Sequence, residues 1–312
     1  MKKIVRTALT IAVAIFILLN IIINIHAYKF THFTAAGSDK RVDEKLNSAK
    51  KLRMIIFGSS NTRPQNSCFP SQRYQIVHVQ SNVSLEAWII PTDSVAKGTV
   101  IIFHGYRADK SKMIDRSDEF LKLGYNTMLV DFMGSGGSGG NSTTIGFKEA
   151  EEVKTCYDFV KSNGEKNIFL MGASMGAVSI MKAMKDYHMP VRGILLECPF
   201  GTMYQTVCAR FKLMGIGTFP SAGLLMFWGG LQNDFWAFSH NPTEYAKYIN
   251  CPTLLLYGEA DNRVSRTEID EIYNNLTCKK QLVTYPLSGH EDYLIKYHDK
   301  WVADVSAFMN GN

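Results

Sequence analysis

The stretch NIFLMGASMGAVSIMKAM, residues 167–184, decides the fold. Asn167–Met171 is a short apolar run of the kind that a strand buried on both faces requires. From Met175 onward the apolar and small residues fall at helical spacing. Between the two, Gly172-Ala173-Ser174-Met175-Gly176 fits the pattern G-x-S-x-G. A serine placed between a strand and a helix sits on a sharp turn with its hydroxyl exposed. Flanking glycines permit the crowding, and the start of the helix adds a positive dipole end beside that hydroxyl. The five-residue pattern alone recurs by chance; the strand before it and the helix after it give it meaning.

Outward from this turn the pattern alternates. Tyr74–Ser81 and Val83–Ile90 show period-two alternation and are close enough to pair as a hairpin. Thr99–Phe103, Thr127–Asp131, Gly193–Glu197, Thr253–Tyr257 and Gln281–Tyr285 are further short apolar, β-rich runs. Helical spacing fits Ser111–Leu123, Phe147–Ser162, Met175–Tyr187, Arg266–Asn274 and Tyr293–Met309. Strand alternating with helix predicts an α/β fold: a mostly parallel eight-stranded sheet, led by an N-terminal antiparallel hairpin, with helices on both faces. Residues 200–242 break the rhythm with a long aromatic and Met-rich connection, which reads as a helical cap inserted into the domain. If that cap lines an apolar pocket, Phe227, Trp228 and Phe235 are the candidates to touch substrate; packing of cap on body is the plainer use of the same residues.

A serine hydroxyl needs a base, and the base needs an orienting carboxylate, here in the chain order Ser, acid, His. Asp261 follows the run Thr253–Tyr257, and His290 follows Gln281–Tyr285, both past the carboxyl ends of strands where sites of open α/β sheets form. Glu259, two residues nearer the strand, is the rival acid. Of the other histidines, His26 and His32 lie at or near the N-terminal apolar segment, His78 in the hairpin, and His188 and His298 in helical segments. His240, at the exit of the cap, could reach substrate, but no strand end places it. An oxyanion hole needs two backbone N–H donors. Met175 supplies one, directly after the serine, and Tyr106 the other, in the loop His104-Gly105-Tyr106. His104 reads as a residue that orders this loop by hydrogen bonding. Gly134-Ser135-Gly136-Gly137-Ser138-Gly139 matches G-x-G-x-x-G, but Asn141–Thr144 intervene before the next helix, so it reads as a flexible turn near the rim of the site rather than a dinucleotide loop.

The chain from about residue 74 to 309 resembles the alpha/beta-hydrolase superfamily, nearest its membrane-anchored, esterase- and serine-peptidase-like branch. The resemblance is carried by FHGY (103–106), VDFMGSGGSGG (130–140), GASMG (172–176), YGEAD (257–261) and SGH (288–290), all in the family's order. It implies an alpha/beta-hydrolase fold, with these segments as oxyanion loop, strand-four loop, nucleophile elbow, acid loop and histidine loop. Two departures stand out. Many relatives have an arginine in the strand-four loop, where this chain has Phe132-Met133 before the glycine. Ala177 stands where prolyl-oligopeptidase-like enzymes carry a second glycine, which disfavours a peptidase.

Composition bounds the rest. The chain has 312 residues, 46% hydrophobic and 20% charged, which is globular and excludes disorder and collagen-like repeats. Its net charge of +6 is concentrated in the first 53 residues, which alone carry +7; the body is nearly neutral, so nothing points to nucleic acid. Residues 8–25, ALTIAVAIFILLNIIINI, contain no charge and only Thr10, Asn20 and Asn24 as polar side chains. Eighteen to twenty such residues just cover a bilayer core of ~30 Å. Lys2, Lys3 and Arg6 precede the run and no good cleavage site follows it, which favours an uncleaved anchor in residues 1–28 over a removed signal peptide. Residues 29–73 read as a basic stalk or linker, with 38–53 as a charged amphipathic stretch, and 74–312 as the hydrolase domain. Six cysteines form no C-x-x-C pair, against structural zinc.

The expectation is a single-pass membrane serine hydrolase cleaving carboxylic esters of lipophilic or acyl compounds, its catalytic domain outside the cytoplasm, with no metal or cofactor. If the first segment is cleaved, the protein is instead secreted or periplasmic. Aminopeptidase or amidase, acyl or thioester hydrolase or transferase, and a membrane-tethered binding module without activity are the alternatives.

Overall fold

A computed structural model describes residues 2–35 and 58–312; the charged stretch 38–53 lies outside them. The chain begins with α1 (Lys2–Thr31), the one helix among the described residues long and apolar enough to cross a membrane. Its helical turns run on past residue 28, and only its C-terminal end is buried, through Ile23, Ala27 and Thr31. Two short strands follow, β1 (Phe33–Thr34) and β2 (Asn61–Thr62), paired in parallel. Residues 58–73 lie on the body. Asn66 donates to Asp131, the Ser67 N–H donates to Ser111 Oγ, and the Phe69 ring packs on Trp88.

The main sheet comprises β3 (Gln75–Gln80), β4 (Ser84–Ile90), β5 (Thr99–Phe103), β6 (Asn126–Val130), β7 (Ile168–Ala173), β8 (Gly193–Glu197), β9 (Thr253–Gly258) and β10 (Lys280–Tyr285). Their spatial order is β10-β9-β8-β7-β5-β6-β4-β3. The leading hairpin β3–β4 is antiparallel and joins β6 antiparallel; every other neighbour is parallel. β5, β8 and β9 are buried at every position because helices cover both faces. On one face pack α3 (Glu149–Ser162) and α4 (Met175–Asp186), through Val153, Tyr157, Val178 and Met181. On the other pack α2 (Ile114–Lys122) and α10 (His298–Asn310), through Phe120, Trp301 and Val305. The cap is helical, with α5 (Met203–Leu213) and α6 (Ser221–Gln232); α7 (Pro242–Tyr245), α8 (Arg266–Asn275) and α9 (Tyr293–Lys296) complete the body. The chain leaves β5 for β6 on one side and returns to β7 on the other, so the strand order switches direction at the carboxyl ends of β5 and β7.

Two expectations are corrected. The single closing helix at 293–309 is two, because the chain bends at Tyr297 (φ −132°, ψ 48°). There the Tyr297 ring packs 5.3 Å from Tyr285 and its hydroxyl accepts from the Leu287 N–H. The glycine loop 134–140 is not a loose turn. An added β-carbon on Gly136 would lie 1.8 Å from the Asp131 carboxylate, and one on Gly137 would lie 2.1 Å from that of Glu86. The glycines make room for these two carboxylates. Arg63, from the segment before the domain, donates to the carbonyls of Ser135, Gly136, Ser138 and Gly140, so a loop with no arginine of its own is held by one from elsewhere.

Both carboxylates converge on Lys110, whose side chain is fully buried. Its ammonium pairs with Asp131, lies 2.7 Å from Glu86 and stands 4.4 Å from the centre of the Trp88 ring. Removing one member of a buried ion pair strands its partners' charge. Lys110→Ala is therefore expected to lower the unfolding free energy by about 3–5 kcal/mol. Lys112→Ala, whose ammonium makes an exposed hydrogen bond to Ser67, should change it by less than about 0.5 kcal/mol. Denaturant unfolding of the two variants, compared with the parent, checks this.

Candidate active site

Ser174 stands between the last residue of β7 and the first of α4. Its backbone is in the left-handed region (φ 51°), a conformation that costs a non-glycine residue of order 1–3 kcal/mol and is held only by its surroundings. Those surroundings are tight. A β-carbon on Gly172 would fall 2.4 Å from the Gly176 carbonyl carbon, and one on Gly176 would fall 2.4 Å from the Phe103 carbonyl oxygen. The Ser174 N–H donates to the Glu197 carbonyl at 2.7 Å, tying the turn to β8.

The structure brings Ser174, Asp261 and His290 together. His290 Nε2 lies 3.0 Å from Ser174 Oγ, and its Nδ1 lies 2.7 Å from Asp261 Oδ2. A carboxylate can only accept, so the ring carries a proton on Nδ1, and in its neutral form it offers the Nε2 lone pair to the serine hydroxyl. Asp261 is fixed in turn, because its Oδ1 accepts the N–H groups of Arg263 (2.7 Å) and Val264 (3.0 Å). The acid and histidine loops approach closely enough that a β-carbon on Gly258 would lie 2.4 Å from the Ser288 carbonyl. Glu259 is instead spent on Arg266, at 2.7 Å. Burial favours the neutral ring of His290, but the neighbouring Cys198 sulfur and the Asp261 carboxylate outweigh it and hold its pKa above the ordinary 6.5. Cys198 is buried directly after β8, and its contact with His290 is a product of the fold that no spacing in the sequence announces.

The N–H groups of Tyr106 and Met175 donate to no backbone acceptor among the described residues. The rest of Tyr106 is held firmly. Its hydroxyl donates to the Phe30 carbonyl (2.7 Å) and accepts from Asn61 (3.1 Å), and its ring packs 5.0 Å from that of Phe30. The Arg210 guanidinium covers both rings, at 4.9 and 4.8 Å. The end of α1 thus touches the loop that follows β5, a contact that no local pattern announces. His104 orders this loop: its Nδ1 lies 2.8 Å from the Gly105 carbonyl, while its Nε2 accepts from the Phe132 N–H at 3.0 Å.

The cap candidates separate. Phe235 packs on Phe147 at 4.7 Å and lines an apolar cavity with Ala27, Phe30, Met203, Leu225 and Met226. The Trp228 indole N–H donates to Asn20 of α1 at 3.1 Å, and Phe227 is exposed beside it. His240 is fully engaged, with Nδ1 3.1 Å from the Tyr245 hydroxyl and Nε2 3.0 Å from the Ile145 carbonyl; burial pulls its pKa down to about 4.

Comparison with known proteins agrees with this picture. The family model described as "Serine aminopeptidase, S33" matches residues 94–250, half of the chain. An uncharacterized Bacillus subtilis protein, YqkD, is 24% identical over 216 residues, 68% of this chain and 71% of its own. Human protein ABHD12B is 27% identical over 183 residues, covering 55% of this chain and 49% of its own. Lysophosphatidylserine lipase ABHD12 of Xenopus tropicalis is 21% identical over 58% of this chain and 47% of its own. The chain thus spans about half the length of these ABHD12-type relatives. Among solved structures, the Pyrococcus furiosus esterase Pf2001 superposes with a TM-score of 0.66 at 24% identity, over 80% of this chain and 97% of its own. That likeness shows the alpha/beta-hydrolase fold, with its mostly parallel eight-stranded sheet and covering helices.

The glycine contacts give a test of the turn itself. Gly176→Ala should destabilise the protein by about 1–3 kcal/mol, because the new methyl meets the Phe103 carbonyl. Gly223→Ala, on a helix position with nothing within 4 Å, should be neutral or slightly stabilising. Thermal unfolding under identical solution conditions compares them.

Proposed function

The chain belongs to the serine aminopeptidase S33 family of alpha/beta hydrolases, and we propose that within it this protein is a membrane-anchored serine hydrolase of carboxylic esters. The observation that carries the reading is the hydrogen-bonded line from Ser174 through His290 to Asp261. In the proposed mechanism Ser174 Oγ attacks the ester carbonyl while His290 Nε2 takes its proton. The carbonyl oxygen, now an anion, is met by the Tyr106 and Met175 N–H groups, with α4 adding its N-terminal dipole. His290 then protonates the leaving alcohol, and water, activated by the same ring, releases the acid from the serine. Asp261 holds the tautomer and stabilises the imidazolium.

Ester is favoured over peptide by the charge around the site. An aminopeptidase must hold a substrate ammonium, and the side chains beside the Tyr106 loop are cationic, Arg107 and Arg210. The nearby carboxylates are committed: Asp261 to His290, Glu259 to Arg266, and Glu197 to Arg116 and Trp301. The seam between cap and α1 is lined by apolar side chains, among them Phe30, Met203, Leu225 and Phe235. An anchor kept in the mature protein is supported by the way its end is built into the body: Phe33 donates to the Asn141 carbonyl, and Tyr106 bonds to Phe30. Lys2, Lys3 and Arg6 favour a cytoplasmic N-terminus and a catalytic domain on the other side.

A fluorophosphonate probe should label the wild type and leave Ser174→Ala unlabelled. An unlabelled wild type, or equal labelling of the variant, overturns the reading. His290 must be neutral to accept a proton, so ester hydrolysis should rise with pH along a limb centred above 6.5. Asp261→Asn removes one of the groups that raise this pKa and lets the ring take the wrong tautomer. The limb should move to lower pH and kcat should fall about 10³–10⁴-fold, read from kcat–pH profiles on a soluble p-nitrophenyl ester.

A further inference from the structure

The cap and α1 are joined along a seam whose polar groups are few and fully used. The Trp228 indole donates to Asn20 Oδ1 at 3.1 Å, and Gln232 donates to the Asn24 carbonyl at 3.0 Å. Both contacts advance by four residues on each helix, so α6 and α1 run in the same direction. Asn233 closes the seam by donating to Thr31 Oγ1 at 3.1 Å, and Gly229 and Gly230 line the same cavity as Ala27 of α1. Asn20 and Asn24 are polar interruptions of the apolar run 8–25, and α6 or its end meets both of them.

The alignment sets a depth. Because Asn20 and Asn24 lie inside the apolar run, α6 lies beside that run and not beyond its end. Ser221, at the start of α6, is seven residues before Trp228 and therefore further toward the N-terminal end of α1. The turn linking α5 to α6 is at that same end, and it is strongly apolar. Leu213, Met214, Ile216 and Phe219 are all exposed, Phe219 by 88%, and Phe227 and Leu231 continue the exposed apolar surface on α6. No acidic residue occurs between Glu197 and Asp234, while Arg210 and Lys212 stand just before the turn. An aqueous surface rarely carries so contiguous an apolar patch.

We propose that the α5–α6 hairpin is a second membrane-inserted element, its tip seated in the acyl region of the leaflet into which α1 descends, with the Lys212 ammonium reaching toward anionic headgroups. The inference rests on reading α1 as a membrane-spanning anchor, and it deepens the ester reading by making the substrate a membrane lipid that enters beside the seam. Backbone groups in a bilayer must be satisfied internally. Two helices satisfy most of theirs, and in the turn the N–H groups of Met214, Gly215 and Ile216 bond to the carbonyls of Arg210, Lys212 and Phe211. The Lys212 side chain can snorkel while its stem stays buried.

The test uses the full chain in vesicles of phosphatidylcholine and phosphatidylglycerol, with acyl chains brominated at defined depths. The indole added by Phe219→Trp, read as the difference from the parent, should lose at least half its fluorescence to brominated lipid and be shielded from aqueous iodide. That added by Val95→Trp, at a site 94% exposed on the body, should behave oppositely. Equal behaviour of the two overturns the inference. So does an indole at 219 shielded from both quenchers, which would mark contact with a second copy of the chain. As a second readout, Leu213→Asp with Phe219→Asp should lower the ratio of turnover on a vesicle-borne long-chain ester to turnover on a soluble short ester about tenfold. Because α1 still holds the variant on the membrane, an unchanged ratio also counts against the inference. If the wild type cleaves no ester at all, the ester reading fails while the quenching result still decides the insertion.

Discussion

The contact between Gly176 and the carbonyl of Phe103, where no β-carbon fits, is the constraint on which the site depends. It presses the first turn of α4 against the end of β5, and so locks the serine turn and the Tyr106 loop into one body. The left-handed Ser174 backbone can exist only because β5, β7 and β8 over-determine it. The acid and histidine loops are then brought in from the other side by an equally close approach, Gly258 against Ser288. Three side chains far apart in sequence meet within 3.0 Å because two pairs of loops are packed to the limit that glycine allows.

The same economy organises the opposite side of the sheet's end. Asp131, just past β6, could have been a solvent-facing carboxylate. It is instead buried against Lys110, Asn66 and the N–H groups of Lys110 and Gly137. Lys110 outweighs the cost of burial and keeps the Asp131 carboxyl below its ordinary range. The glycines at 136 and 137, which resemble a nucleotide loop in one dimension, are spacers for this ionic cluster. Arg63 then closes the loop from outside. The pieces belong together, since each charge is buried only because another is.

Much of this was legible in the sequence, and the limits are physical. The parallel strands were readable because burial on both faces forces continuous apolar runs, as in Thr99–Phe103 and Gly193–Glu197, and their boundaries agree closely with the sheet. Ser174, Asp261 and His290 were readable because each follows such a run. What sequence hides is contact between distant segments with no periodic signature. Arg63 reaching the glycine loop is one case, and Cys198 against His290 another. Trp228 is a third. An aromatic residue in a cap suggests a substrate pocket, whereas its indole is committed to Asn20 of α1. The break at Tyr297 escaped because the residues on either side keep helical spacing, and only a tertiary contact with Tyr285 ends the first helix.

The joint between α1 and the Tyr106 loop ties the N-terminal helix to the segment that follows β5, beside Ser174. Here the Phe30 carbonyl, near the C-terminal end of α1 where backbone acceptors lack helical partners, accepts a hydrogen bond from the Tyr106 hydroxyl, and Arg210 of the cap stacks over both rings. The end of α1, the cap and the Tyr106 loop therefore share one small cluster, with Asn61 of β2 as its fourth member. A hydrogen bond of this kind contributes about 0.5–1.5 kcal/mol net, too little to hold a domain by itself. The position of α1 on the body can thus bias the loop without any large movement. Since α6 binds the same helix more than one turn before Phe30, the cap and the loop are referred to a common axis.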